Sequence, residues 1–383
     1  MNESLLIRGG KVYRNGRCEE LDLFIEDGAF TGFHQDRPAG GVFEAETMHV
    51  IPGMIDIHTH GAVGVDFNLF ADEREIEKVV GFFASKGVSG FLPTVLTDEP
   101  EVMKTQLSKL TRPALLKRFP QILGIHLEGP FLNASYKGAM KEELLKECDL
   151  SCFDELQDAA RGMIRVITLS PEVRGCRTLI RELTGRGVRV SLGHSGAGYE
   201  ETIGAIDAGA SSTTHIMNAM KLLHMHDPAI LTAVLERDIY AEMIVDGFHL
   251  HPPIVRLLLK IKGWDRMIAV TDSIMAAGYP DGEYLLGPNR VVVKDGDAKL
   301  VENGVRAGST LTMDKALRNL LDFTRAPLQR IVPLLSTNAA RMLGLSDLGE
   351  IALGKRADAT ILDSSMDVVA TITSGKIAYR REE

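Results

Sequence analysis

The chain has 383 residues, 45% of them hydrophobic and 25% charged, and a formal net charge of −9. That composition suits a water-soluble globular protein of two domains, or one large domain with an appendage. No apolar run reaches the roughly 18 residues a spanning helix needs, and the absence of any basic stripe argues against a nucleic-acid surface.

Residues 1–51 read as short strands broken by turns: LLIRGGKVY, then Asn15-Gly16, then ELDLFIEDGAFTGF with Asp27-Gly28 inside it. Asn-Gly and Asp-Gly accept the left-handed backbone of tight hairpins. Eight apolar runs follow, at 51–57, 87–95, 121–127, 162–169, 187–193, 209–215, 239–245 and 266–272. Amphipathic stretches such as 73–87 and 201–209 lie between them. Parallel strands covered on both faces read as near-continuous apolar runs. Eight β-then-α units therefore predict an α/β fold, a (β/α)₈ TIM-type barrel over 52–343. A doubly wound open sheet is the alternative, but no G-x-G-x-x-G opens a βα turn. The C-terminus returns to strand texture, with GEIALGKRADATILD (349–363) and VVATITSGKIAYR (368–380). Segments 1–51 and 344–383 are expected to pair as one small β-sandwich domain.

The opening MNESLLIRGG has no basic segment followed by an apolar stretch, so no export signal is read. Cys18, Cys148, Cys152 and Cys176 form no C-x-x-C pair. They are read as reduced thiols of a cytoplasmic protein.

The chemistry lies in where the polar residues fall. His58 and His60 follow the first run, Glu128 the third and His194 the fifth, while His215 ends the sixth and Asp272 the eighth. In a barrel these positions share the C-terminal rim, where barrel active sites form. Residues two apart on a strand point the same way, so His58 and His60 can face the mouth together. Four imidazoles and two carboxylates converging there predict a site for one or two divalent ions, with zinc expected and iron or manganese as alternatives. A single H-x-H is more often a packed pair than a ligand pair; six groups at successive strand ends are not so easily dismissed. His126 shares a face with Glu128 and is read as packed or supporting rather than ligating. His34 and His49 are read as structural or exposed. His224, His226, His249 and His251 follow the sixth and seventh runs, where some can touch substrate and others are loop histidines.

At these residues the chain resembles the N-acetylglucosamine-6-phosphate deacetylase family of the amidohydrolase superfamily. The matching segments are PGMIDIHTHG (52–61), HLEGPFLN (126–133), LGHSGA (192–197), THIMNAM (214–220), DGFHLHP (246–252), VTDSIMAAGYPDGEY (270–284) and AGSTLTMD (307–314). The discriminating piece is HLEGP, because most of the superfamily bridges its metals with a modified lysine. The resemblance implies that Glu128, His194 and His215 hold the principal metal and that His58 and His60 stand where some members carry a second. It implies Asp272 as the catalytic aspartate, and Asn218, Ala219 (by its backbone) and His249 as substrate contacts. The substrate implied is N-acetylglucosamine 6-phosphate, cleaved to glucosamine 6-phosphate and acetate, in a homodimer. Three departures bear on substrate. Met140 replaces a histidine that lies close to the reacting acetamide, and it cannot donate a hydrogen bond. His226 replaces an arginine that reaches the phosphate of substrate in a neighbouring subunit, and it lacks the bidentate fork. Lys221 stands where a small or apolar residue is usual, and is read as a surface lysine or a substitute cation. A related N-acyl substrate, such as N-acetylgalactosamine 6-phosphate or an unphosphorylated amino sugar, therefore stays open, as does a non-catalytic binder of sugar phosphates.

Overall fold

The structure, a computed structural model, describes residues 4–33 and 39–382; His34 lies outside them. Asn15 and Gly16 both take positive φ, 50° and 75°, so β1 (Ser4–Arg14) turns directly into β2 (Arg17–Glu26). Asp27 and Gly28 repeat the device at 49° and 78°, leading into β3 (Ala29–Phe33). β1 pairs with β2 through an irregularity between Ile7 and Gly10. Before it the parallel neighbour of β1 is β4 (Gly41–Glu44); beyond it the neighbour is β5 (His49–Pro52). A Cβ on Gly10 would meet Val50 Cγ2 at 2.7 Å, so only glycine lets β5 approach there.

The barrel begins at β6 (Met54–Thr59), which is followed by a small hairpin, β7 (Gly61–Ala62) and β8 (Val65–Asp66). The remaining staves are β9 (Val88–Leu96), β10 (Ile125–Glu128), β11 (Ile164–Leu169), β12 (Arg189–Leu192), β13 (Ser212–Thr213), β14 (Tyr240–Ile244) and β15 (Met267–Val270). They run parallel in the order β6-β9-β10-β11-β12-β13-β14-β15. The circle is drawn shut just past β15: Asp272 N–H donates to His58 O at 2.8 Å, and Thr59 bridges Ser273. Each of the eight apolar runs overlaps one stave, and both β6 and β9 are buried along their whole length. Helices cover the outside. Helix Glu73–Ser85 starts where the Asp72 side chain accepts from Arg74 N–H at 2.9 Å, and it buries Ile76, Val79, Val80 and Phe83.

After β15 comes a feature with no counterpart in the sequence reading. β16 (Gly282–Leu286), β17 (Asn289–Lys294) and β18 (Asp297–Leu300) form a separate antiparallel sheet. Leu286, Val291, Val293 and Leu300 from it share an apolar cluster with Leu96 at the end of β9 and with Leu132, Met140 and Ile274 of the barrel loops. The chain ends in β19 (Ala359–Leu362), β20 (Val368–Thr373) and β21 (Lys376–Arg380). β19 pairs antiparallel with β5, so the two ends of the chain complete one eight-stranded sheet apart from the barrel. Its core includes Ile7, Leu23, Phe30, Val50, Ile361 and Ile372, all fully buried.

Ile361 sits where the N- and C-terminal strands meet. Replacing it with alanine is expected to cost about 2–5 kcal/mol, read as a lower urea midpoint; a midpoint within error of the parent would show that this seam does not support the fold.

Candidate metal centre

The six residues singled out by position arrive from the ends of five staves or from the steps just beyond them. β6 carries His58 and its continuation His60; β10 ends on Glu128. His194, His215 and Asp272 each lie two residues past the end of β12, β13 and β15. All three take left-handed backbone, with φ of 48°, 28° and 51°. That conformation costs on the order of 1–3 kcal/mol for a residue with a Cβ. It breaks the strand and lets consecutive polar side chains leave the stave at its rim.

The six side chains converge. Glu128 Oε1 is 3.2 Å from both His194 Nε2 and His215 Nε2, and those two nitrogens are 3.1 Å apart. On the other side, Asp272 Oδ1 lies 3.2 Å from His60 Nε2 and 3.5 Å from His58 Nε2. Glu128 also spans the two groups, with Oε1 3.5 Å from His58 Nε2 and Oε2 3.4 Å from His60 Nε2. The result is two clusters, Glu128/His194/His215 and His58/His60/Asp272, each compact enough to hold an ion. His194 is aimed by its other nitrogen, which donates to Tyr136 O at 2.9 Å.

The donor set fits divalent metal for an electrostatic reason. Glu128 and Asp272 are 3% and 6% exposed, and a carboxylate taken out of water needs a cation beside it. On the protein's own charges, burial opposes ionisation of Glu128, but His58, His194 and His215 hold its carboxyl well below the usual range. Asp272 is likewise drawn down to about 2, against burial, by His58 and His60. Burial disfavours charge on His58 and His60, yet Asp272 and Glu128 outweigh it, raising His58 well above its ordinary value and His60 to about 9. The cluster thus demands positive charge at the point where the lone pairs of His58 Nε2 and the carboxylate oxygens face one another. His58 Nε2 is buried without a hydrogen-bond partner, which a metal ion would supply.

His126 is not part of that demand. Its Nδ1 pairs with Ile57 O at 3.0 Å and its Nε2 with Thr168 Oγ1 at 2.8 Å, so neither nitrogen is left to ligate. Burial, with His58 beside it, pushes its pKa well below the ordinary value.

Over the two clusters opens a cavity of about 550 Å³, lined among others by Met140, Asn218, Ala219 and His249. His249 is clamped by Asp246, whose Oδ2 accepts from Nδ1 at 2.6 Å. Asn218 Nδ2 donates to His215 O at 3.2 Å and Ile216 O at 3.1 Å, tying the Asn218-Ala219 turn to the metal cluster. Met140 is only 3% exposed and packs in the apolar joint with the inserted sheet. His226 is exposed and does not line the cavity. Lys221 is also absent from the lining, and its Nζ pairs with Asp227 at 2.6 Å. The sequence reading missed Asp56 and Glu242, both buried inside staves. Their signal was available: a lone carboxylate within an apolar strand run needs a partner. It also missed Lys137, Lys299 and Arg306 in the cavity lining, for which no local pattern exists.

A barrel whose rim gathers four imidazoles around two carboxylates defines a class, the hydrolases that work with divalent metal. The sequence profile of the amidohydrolase family matches residues 49–378. An N-acetylglucosamine-6-phosphate deacetylase of Lysinibacillus sphaericus is 35% identical over 381 residues, 98% of this chain and 97% of that one. An N-acetylgalactosamine-6-phosphate deacetylase of Escherichia coli O157:H7 is 34% identical, covering 95% and 96%. A single-substitution variant of the Mycobacterium smegmatis N-acetyl-D-glucosamine-6-phosphate deacetylase, solved with N-acetyl-D-glucosamine-6-phosphate, superposes with a TM-score of 0.91 at 31% identity, over 98% of this chain and 99% of that one. The Thermotoga maritima N-acetylglucosamine-6-phosphate deacetylase gives 0.89 at 33% identity, over 98% and 100%. This chain belongs to the amidohydrolase family, in its N-acetylglucosamine-6-phosphate deacetylase branch.

Glu128→Gln keeps the shape of the side chain and removes its charge. Elemental analysis is expected to show at least one equivalent of metal lost; full retention would place the ion elsewhere.

Proposed function

We propose that this chain hydrolyses the acetamide of N-acetyl-D-glucosamine 6-phosphate to D-glucosamine 6-phosphate and acetate. The observation that carries the reading is Glu128, whose two oxygens reach all four histidines of the centre. Glu128, His194 and His215 hold the principal ion, and His58, His60 and Asp272 surround the position of a second. Zinc suits an imidazole–carboxylate set of this kind, with iron and manganese as the competitors. A divalent ion supplies Lewis acidity, bringing the pKa of water from ~15.7 to about 7 and polarising a carbonyl.

The protein's own groups supply the proton traffic. Asp272 is ionised and sits at the cavity floor. It accepts the proton of the attacking water as the new C–O bond forms, then delivers it to nitrogen as the C–N bond breaks. The products are acetate and the free amine, and Asp272 returns to its starting state. Clamped through Nδ1, His249 offers Nε2 to the substrate, and the Asn218-Ala219 turn offers Asn218 Oδ1 and the Ala219 N–H. Met140 gives the acetamide an apolar wall in place of a donor, which leaves carbonyl polarisation to the metal side of the cavity.

The phosphate end is read from charge. Of the cavity's cations, Lys299 Nζ and Arg306 Nε each lie 2.8 Å from a carboxylate oxygen of Asp297. Two cations sharing one carboxylate leave a net positive charge, with Lys137 also in the lining. Leu222, Leu223 and Met225 are 55%, 58% and 82% exposed on the loop that carries His226; that apolar tip supports a homodimer in which the loop meets the other subunit. Four unpaired cysteines support a cytoplasmic setting, and no helix among the described residues is long and apolar enough to cross a membrane. The division of labour is a catalytic barrel over 52–343 and a supporting β domain from 1–51 with 344–383.

A second reading, N-acetylgalactosamine 6-phosphate as the preferred substrate, rests on the nearly equal identity to the Escherichia coli relative, 34%. Acetate release from both phosphorylated sugars and their unphosphorylated forms separates the two. Preference for the gluco epimer supports the first reading, and silence across the panel with full metal content sinks both. Asp272→Asn is expected to lower kcat by orders of magnitude on the preferred substrate; activity within tenfold of the parent would remove Asp272 from its role. Arg306→Gln is expected to raise KM for the phosphorylated sugar about 10-fold or more, the worth of a charged hydrogen bond at roughly 1.5–3 kcal/mol. KM for the unphosphorylated sugar should not move.

A further inference from the structure

Glu242 lies in the middle of β14, within a run that is otherwise apolar core, and it is 0% exposed. A carboxylate so placed is strongly destabilising unless its oxygens are engaged. Oε2 is engaged twice: it lies 3.0 Å from His58 Nδ1 and 3.3 Å from the backbone nitrogen of His215. Oε1 has no hydrogen-bond partner. Both residues it holds send their other end, Nε2, into the metal centre.

We infer that Glu242 is a positioning residue that fixes His58 as a ligand and thereby sets the affinity of the His58/His60/Asp272 site for its ion. The inference rests on the metal reading above. The physical argument is one of tautomers. A neutral imidazole carries one N–H, and a carboxylate on Nδ1 claims it. Nε2 is then left with its lone pair directed into the centre, 3.5 Å from Glu128 Oε1 and Asp272 Oδ1. His126 stands edge-on to the ring with centroids 4.6 Å apart, but both of its nitrogens are occupied elsewhere, so it does not compete for Glu242. Negative charge on Nδ1 also makes Nε2 a stronger donor to a metal.

A merely structural carboxylate would affect stability and both ions alike. The measurement is therefore metal stoichiometry and stepwise affinity, by dialysis against zinc with elemental analysis, alongside the absorption spectrum of the cobalt-loaded protein. The parent is expected to bind two ions. Glu242→Gln should keep the ion of Glu128, His194 and His215 and weaken the second 10- to 100-fold, with a cobalt spectrum reduced to one centre. In a His58→Asn background, Glu242→Gln should add no further loss, because its route to the metal is gone. Should the amide variant fail to fold, Glu242→Asp draws the oxygens back by one methylene and must show the same selective loss. Two ions bound at parental affinity in either folded variant, or additive losses in the double variant, overturn the inference. A parent that binds one ion also overturns it while leaving Glu128-centred hydrolysis intact; a parent that binds none ends the metal reading itself.

Discussion

Four carboxylates, Asp56, Glu128, Glu242 and Asp272, sit inside the barrel at 6% exposure or less. Isolated charges in such surroundings are neutralised or expelled, so the arrangement around them is a solution to a charge problem before it is a catalytic site. Asp56 is answered by hydroxyl and amide: burial raises its pKa to about 6, opposed by hydrogen bonds from Thr271 Oγ1 at 2.5 Å and from backbone amides. Glu128 and Asp272 are answered by histidines, and Glu242 by His58 and the His215 backbone. The histidines then carry the constraint outward, because each has a second nitrogen that must also be assigned. Tyr136 O takes that of His194 and Glu242 takes that of His58. His60 Nδ1 and His215 Nδ1 are buried without a hydrogen-bond partner, and left over at the centre is a set of lone pairs facing inward. The affinity for a divalent ion follows from that leftover.

Backbone strain is placed to serve the same end. His194, His215, Asp272 and, in the adjoining turn, Met217 and Ala219 all take positive φ. A regular strand would alternate their side chains across the stave; the left-handed step ends the strand and frees the next residues to turn into the mouth. Such residues persist because surrounding contacts over-determine them. Glu242 receiving the His215 amide and Ser309 N–H donating to Asp272 O at 2.7 Å are two of those contacts. Preorganisation at the centre is therefore supported from neighbouring segments, a stave in one case and a loop in the other, not from the residues that bear the ligands alone.

The barrel and the cluster were readable in the sequence because both obey short-range rules. Apolar runs of strand length recur with helical stretches between them, and the histidines and acids of the centre stand where runs end. Asn15-Gly16 and Asp27-Gly28 announced their hairpins through residues that tolerate positive φ. The inserted sheet β16–β18 was not readable, because its strands alternate buried with exposed residues, as in β17, rather than forming a continuous apolar run. Glu242 was hidden for the opposite reason. Its neighbours announced a buried stave so clearly that a single charge looked incidental, and its meaning depends on His58, far away in sequence. Lys299 and Arg306 become cavity residues only through the docking of that insertion, which no local periodicity records.

That docking separates the two tasks of the site. The proposed ligands and proton carrier stand at stave ends or just past them, held by the main-chain hydrogen bonding of the barrel. Of the cavity's cations, Lys299 stands on an added sheet and Arg306 just beyond it, and that sheet is joined to the barrel through side-chain packing, with Met140 and Ile274 on one side and Leu286 and Val291 on the other. Packing of this kind tolerates exchange of apolar residues at modest cost, whereas a metal ligand tolerates almost none. Met140 illustrates the asymmetry. A histidine there would need a hydrogen-bond partner in a joint that is otherwise hydrocarbon, while a methionine fills it and needs nothing. On the proposed function, the cavity wall at this joint is where substrate preference can change while the residues at the stave ends stay fixed.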